Sequence, residues 1–274
     1  MNDSAKIAVD ESFKPIVDEE LYIFKSLYNN VHPRVQYVNE NEEVNLLLED
    51  SVGMAVISRD LTKEEYKSIA DRHLIPIIDR FAIDAVTLIV NSASADTNMT
   101  VTEVKKMLNG DTKQDKNIVF DNPNSSLVRY LKDFTGKTEF KQKNIYSLKS
   151  DKEVIQYVSQ HPNAIGITSF SWLNDPDKDY AADLDKVKIV SIKDENNKKY
   201  PDEYYSPSQN TLALKQYPLT RNLYILNFTG DYGLGMKFDN FLISDRGQRI
   251  ILKSGLLPDD IPARHINIVK KIKQ

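Results

Sequence analysis

The 274-residue chain is long enough for one large α/β domain or two smaller ones, since single cores tend to split above roughly 250 residues. Its composition, 41% hydrophobic and 28% charged, is that of a globular protein and excludes a disordered one. A net charge of −4, with 36 basic residues scattered among 40 acids, leaves no broad positive field for nucleic acid, and the lack of cysteine excludes disulfides, thiolate metal sites and cysteine nucleophiles.

Apolar β-prone runs alternate with helix-period segments along the chain. Lys6 to Val9 reads as a strand, and after a polar turn Phe13, Ile16, Val17, Leu21, Phe24 and Leu27 recur at helical spacing. Val35 to Val38 and Gly53 to Ser58 are further strands, flanking a short helix that carries Val44, Leu47 and Leu48. Thr62 with Glu65 and Thr100 with Glu103 have capping-box spacing; they predict one helix through about His73 and another ending at Asn109-Gly110. Between them, Ala85 to Val90 is a continuous apolar run, as expected of a strand buried on both faces.

Ile118 to Phe120 predicts a strand, Ser125 to Phe134 a helix, Val154 to Ser159 part of a helix and Ala164 to Thr168 a strand. Val187 to Ile192 is another strand, followed by a polar surface loop over 194–208. Leu223 to Phe228 returns as a buried strand, helices follow around Phe238 to Ile243 and Gln248 to Lys253, and Ile266 to Val269 reads as a last strand. This alternation is the pattern of a parallel α/β protein, and no run of about 18 apolar residues interrupts it.

Enzyme signatures are scarce: there is no HExxH, GxSxG, P-loop or GxGxxG after a strand, and His32, His73, His161 and His265 sit in separate segments. No general acid–base pair stands out among the many carboxylates. What recurs is a polar turn between a strand and a helix start. In VDESFKP, residues 9–15, Ser12 can cap, Phe13 can pack and Pro15 lies in the first turn. In FDNPNSSLVRYL, residues 120–131, Asn124, Ser125 and Ser126 precede an apolar helix face. Unpaired N–H groups and the helix dipole make each such end a potential anion cradle, with ordinary capping as the plainer reading. Arg59 directly follows the apolar strand, at a carboxyl end where a guanidinium can hold an oxyanion bidentately; a salt bridge to Asp60 or Glu64 is the alternative.

These elements, in this order, resemble the periplasmic phosphate-binding proteins of ABC importers, in particular a Bacteroidetes-type branch. The resembling stretches cover nearly the whole chain: IAVDESFKPIVDEEL, DSVGMAVISRDLTKEE, DAVTLIVN, MTVTEVKKMLNG, IVFDNPNSSLVRYLKD, NAIGITSFSWL, YPLTRNLYIL and FLISDRGQRIILKSGLLP. The resemblance implies a type II periplasmic binding fold, two α/β lobes joined by two crossover strands with the ligand cleft between them. Lobe I would be 1–83 with 223–274 and lobe II 84–222, with crossovers near Phe81 to Val90 and Tyr217 to Phe228.

It further implies that phosphate or a related tetrahedral oxyanion is bound without catalysis, metal or cofactor. By position, Ser12 and Phe13 match the Thr-Phe of the family's first loop, and Asn124, Ser125 and Ser126 its Ser-Gly-Thr. Two departures stand out. Arg59 replaces an aspartate and Phe120 an arginine, so Arg59 is expected to supply the cleft's main positive charge, and Asp10, Glu11 or Asp121 to accept the ligand's proton. Asn39-Glu40-Asn41 replaces a Ser-Ser-Gly loop and has no assigned role. The implied partner is an ABC permease in the inner membrane, with no nucleic acid. The expected protein is a periplasmic monomer, lipid-anchored in a full-length precursor whose export signal is not in this sequence. Competing expectations are a binding protein for phosphonate, sulfate, molybdate or a phosphorylated metabolite, a phosphate sensor module, and, from another class, a phosphoester hydrolase.

Overall fold

The computed structural model describes residues 5–111, 116–174, 176–230 and 233–262. Its first segment alternates strand and helix as β1 (Lys6–Asp10), α1 (Lys14–Leu27), β2 (Arg34–Val38), α2 (Glu40–Leu48), β3 (Met54–Ile57) and α3 (Lys63–Asp71). The 15-residue strand β4 (Ile77–Asn91) follows. Next come β5 (Asn98–Thr100), α4 (Val101–Asn109), β6 (Asn117–Phe120), α5 (Ser126–Thr135), β7 (Ile145–Ser147), α6 (Asp151–Gln160) and β8 (Ala164–Ser169). The rest comprises α7 (Ala181–Leu184), β9 (Val187–Ile189), β10 (Ser191–Lys193), α8 (Gln209–Ala213), β11 (Thr220–Asn227), α9 (Leu234–Ile243), α10 (Asp245–Lys253) and β12 (Leu257–Pro258).

Ten strands form one sheet in the order β2-β1-β3-β11-β4-β8-β6-β7, with β9 and β12 also on β4. Strand β4 belongs to both halves of it. Ile77 to Ala85 pair antiparallel with β11, whereas Val86 to Val90 pair antiparallel with β8. Farther from β4, β1 runs parallel with β2 and β3, and β6 with β7 and β8, whereas β3 meets β11 antiparallel. A continuous apolar run was needed for this: Ala85 to Val90 are all fully buried, because helices cover both faces.

Alternate residues of each strand serve opposite faces, and each half therefore has two apolar layers. In one, Ile7, Val9 and Val56 meet Phe24 of α1 and Phe238 of α9, while Ala8, Ala55 and Ile57 meet Leu47 and Ile69 on the far face. In the other, Leu88 and Ile165 meet Leu108 and Leu127, while Ile89 and Val119 meet Val154 and Val158. Each such buried aliphatic side chain stabilises the fold by roughly 1.5–3 kcal/mol. Both capping boxes close as expected, and α4 ends on Gly110 at φ +76°, a left-handed position that suits glycine.

Several local expectations are corrected. The cap of the turn after β1 is Asp10, whose carboxylate accepts from Ser12 N–H ahead of a 3-10 turn at Glu11–Phe13; Ser12 itself points elsewhere. The segment Val187 to Ile192 is two strands, since β9 pairs with β4 while β10 pairs with β5 in a separate two-stranded sheet. The break falls at Val190, whose N–H is taken by Leu88 O. The expected strand Ile266 to Val269 lies outside the described residues.

Glu20, on the inner face of α1, is fully buried, and neither of its carboxyl oxygens has a hydrogen-bond partner among the described residues. Burial, reinforced by neighbouring Glu19, pushes this carboxyl from an ordinary 4.5 up to about 9, so it is neutral at pH 7. Because the folded value lies above the unfolded one, the stability it allows is full below about pH 4.5 and is lost as pH rises toward 9. Glu20→Gln is expected to remove this slope and to stabilise the fold by on the order of 2 kcal/mol at about pH 8. Thermal melts of both proteins between about pH 5 and pH 9 check this, and parallel pH curves for the two would refute it.

Candidate anion-binding site

Asp10 ends β1 and Asp121 follows β6, so both stand at the carboxyl ends of parallel strands, where the next helical turn leaves N–H groups unpaired. The two turns meet. Asp10 Oδ1 accepts from Ser12 N at 2.9 Å within its own turn, and Oδ2 accepts from Ser126 N at 3.1 Å, at the start of α5 in the other half. Asp121 accepts from Ser125 Oγ at 2.6 Å and from Ser12 Oγ at 3.2 Å. Ser125 Oγ in turn caps α5 by accepting from Val128 N. The loop after β8 reaches the same turn, with Trp172 Nε1 donating to Ser12 O at 3.0 Å. Asp10, Ser12, Asp121, Ser125 and Ser126 are all buried.

The cation at this junction is Arg221 of β11, 4% exposed. Its Nε donates to Asp84 Oδ2 at 2.9 Å, its Nη1 to Ser126 Oγ at 2.9 Å, and its guanidinium carbon lies 4.5 Å from the centre of the Phe13 ring. Arg221 Nη2 and Asp84 Oδ1 have no hydrogen-bond partner among the described residues. Leaving such groups buried and unsatisfied costs about 1–3 kcal/mol each, which a ligand offering both an acceptor and a donor would recover.

Acids outnumber the cation. Asp84 also accepts from Ser169 Oγ at 2.7 Å, and Asp151, at the start of α6, accepts from Thr168 Oγ1 at 2.7 Å and Ser169 N at 2.9 Å. Burial, then the negative charges of Asp151 and Asp10, push the Asp121 carboxyl well above the usual range. Burial raises Asp151 to about 6 against the pull of its Thr168 and Ser169 hydrogen bonds. For Arg221, burial works against the charge, but Asp84, Asp10 and Asp151 outweigh it and hold the guanidinium protonated.

Arg59 stands at the end of β3, as its place in the sequence requires, but its guanidinium is committed. Nη1 and Nη2 grip Glu65 at 2.7 and 2.8 Å, Nε donates to Glu40 Oε1 at 3.1 Å, and Nη1 also reaches the Asp60 carbonyl. Its acids are therefore Glu65 and Glu40, not the carboxylates of Asp60 or Glu64. Asn39-Glu40-Asn41, expected as a loop, is the start of α2, and Glu40 gives it a role. Asn39 caps α2 by accepting from Glu42 N, and Glu40, 2% exposed, takes Arg129 of α5 through Nε at 2.5 Å and Nη2 at 3.2 Å. Arg129 Nη2 further donates to Ser58 Oγ at 2.9 Å, so this cluster also ties the two halves together.

Of the residues expected from sequence, Phe13 and Ser126 contact Arg221, while the hydroxyls of Ser12 and Ser125 both donate to Asp121. Asn124 is exposed on its loop, its N–H donating to Asn122 Oδ1, and Arg59 belongs to the Glu40 cluster. Sequence reading missed Arg221 and Asp84. The signal was there: Arg221 is the one charge of β11, and Asp84 is the one charge in the stretch Phe81 to Val90 of β4. Among the described residues no group of three or more His, Asp or Glu is placed to hold a metal, and no helix is long and apolar enough to cross a membrane. A cavity of about 680 Å³ between α1, α10 and the 171–180 segment is lined by none of the Arg221 cluster.

Residues 2–246 match the PBP superfamily domain. A phosphate-binding protein PstS from Borreliella burgdorferi is 28% identical over 263 residues, which span 89% of this chain and 85% of that protein. Among solved structures, a phosphate ABC transporter substrate-binding protein with bound phosphate from Clostridium perfringens aligns with a TM-score of 0.77 at 19% identity, over 94% of this chain and 100% of the other. An ABC-type phosphate transport receptor from Vibrio cholerae aligns at 0.68 and 20% identity, over 92% and 99%. These likenesses establish the type II periplasmic binding fold, in keeping with a sheet whose two halves share β4. With most of its length matched and that architecture in place, the chain belongs to the PBP superfamily.

Proposed function

We propose that this protein is the substrate-binding component of an ABC-type uptake system, holding phosphate or a related tetrahedral oxyanion between two lobes without transforming it. The lobes are residues 1–83 with 223–274, and 84–222. One observation carries the reading: hydroxyl-bearing turns from both halves converge on a buried arginine with an unused N–H. An oxyanion seated there gains a guanidinium and the hydroxyls of Ser12, Ser125 and Ser126, over the ring of Phe13. The PstS relative supports phosphate as the anion. An inner-membrane permease is the proposed partner of a periplasmic monomer, lipid-anchored in its precursor. A phosphatase assay with added divalent metal tests the rival hydrolase reading; turnover lost on changing Ser12 would establish it.

The cation assignment separates Arg221 from Arg59. Arg221→Ala is expected to cost on the order of 2–5 kcal/mol of phosphate binding, whereas Arg59→Ala, which breaks a partly buried pairing outside the Arg221 cluster, costs about 1 kcal/mol or less. Calorimetric titration of both variants decides, and a reversed order would move the site to Arg59.

Selectivity follows from the acceptors. Phosphate near neutral pH carries a proton that Asp84 Oδ1 can accept, whereas sulfate carries none and would face that oxygen with another acceptor. Phosphate should bind at least about 100-fold more tightly than sulfate, roughly 3 kcal/mol, and Asp84→Asn should narrow the gap. Equal affinities for the two anions in the unmodified protein would make this a broad oxyanion site.

A further inference from the structure

The backbone donors best placed for an anion are already in use. Asp10 spans them: Oδ1 takes Ser12 N from its own turn and Oδ2 takes Ser126 N, 116 residues away at the start of α5. The first contact alone is an ordinary turn cap two residues on. The second is not, since it crosses to the other half and meets the residue whose hydroxyl Arg221 holds. Two carboxylate oxygens with one negative charge thus occupy the N–H positions that two oxygens of a tetrahedral anion would take, beside the unpaired Nη2 of the fully enclosed Arg221.

We propose that Asp10 is a built-in competitor for the oxyanion, its carboxylate holding the donors of both turns until the ligand displaces it. This rests on the anion-binding function proposed above. Displacement leaves the Asp10 carboxylate beside a second anion in a site where Glu11 of its own turn, Glu43 of α2, Asp121 after β6 and Asp151 of α6 face it, Arg221 of β11 is the opposing charge, and Asp84 of β4 already shares that charge. Like charges so close in a dry site drive a proton onto one of them. Asp121 and Asp151, both already raised, are the acceptors at hand. Above about pH 6, where Asp151 is still ionised, binding therefore takes up protons and strengthens as pH falls. Asp10 is thus a specificity-determining residue that sets a threshold: an anion must outbid an intramolecular carboxylate for the same N–H groups.

The test is calorimetric titration with inorganic phosphate at about pH 5, where phosphate stays a monoanion throughout. Asp10→Ala frees both N–H groups and is expected to bind phosphate about tenfold or more tightly than the unmodified protein. Unchanged or weaker binding by a variant that circular dichroism shows to be folded overturns the proposal, for Asp10 would then be scaffold or ligand acceptor. If the variant does not fold, Asp10→Asn decides: its amide oxygen can still accept from Ser12 N–H, but the charge and the second acceptor for Ser126 N–H are lost, and it is expected to bind phosphate several-fold more tightly than the unmodified protein. Equal or weaker binding by the folded Asp10→Asn variant overturns the proposal. Weaker binding by Asp10→Ala alone leaves the anion-binding function standing, whereas absence of phosphate, sulfate and phosphonate binding in both proteins removes that function and this inference together.

Discussion

Arg221 and Asp84 face each other as direct partners in the antiparallel ladder of β11 and β4, with side chains 1% and 0% exposed. Taking two charges out of water costs several kcal/mol per ion, which Coulomb attraction offsets only where the remaining hydrogen-bonding groups are also served. Here most are. Ser126 and Ser169 bind the pair from the second half, and Phe13 of the first half lies against the guanidinium. Strand pairing places this ion pair where the two halves of the sheet join, and so one buried interaction orients the turns of both.

A second set of charges ties the halves nearer the surface. Glu40 gathers Arg59, Arg129 and Ser58, but the two arginines keep 19% and 29% of their side-chain area in solvent. Salt screens such partly exposed contacts, and it scarcely reaches the Arg221 pair. The molecule thus separates a dry electrostatic centre, suited to discrimination, from a wetter rim suited to holding the halves together.

Much of the fold was legible in the sequence because its signals are local. Thr62 with Glu65 and Thr100 with Glu103 announce helix starts within four residues, and the run through Val90 announces a strand covered on both faces. The three-residue strands β5 and β7 were not legible, since so short a segment shows no period. Nor was the break at Val190, which exists only because Leu88 and Asn98 lie where they do. The hydroxyl turns at Ser12 and Ser125 could be read because each sits between a strand and a helix. Arg59 drew attention by its place after a strand, yet its partners come from 19 residues before and six after. Arg221 pairs with a residue 137 positions away, so its importance depends on topology that residue types do not encode.

The insertion of β11 between β3 and β4 also has a kinetic side. Strand β3 is apolar and wholly buried, and one of its edges is covered only by residues of β11. At typical rates of synthesis, the roughly 160 residues between Ile57 and Thr220 take about 10 to 30 seconds to emerge. During that interval the β1–β3 ladder presents an open edge able to pair with any other extended chain. Such a protein cannot complete its first half while being made, and until the distant strand arrives its safety from aggregation rests on staying unfolded or on being held by another molecule.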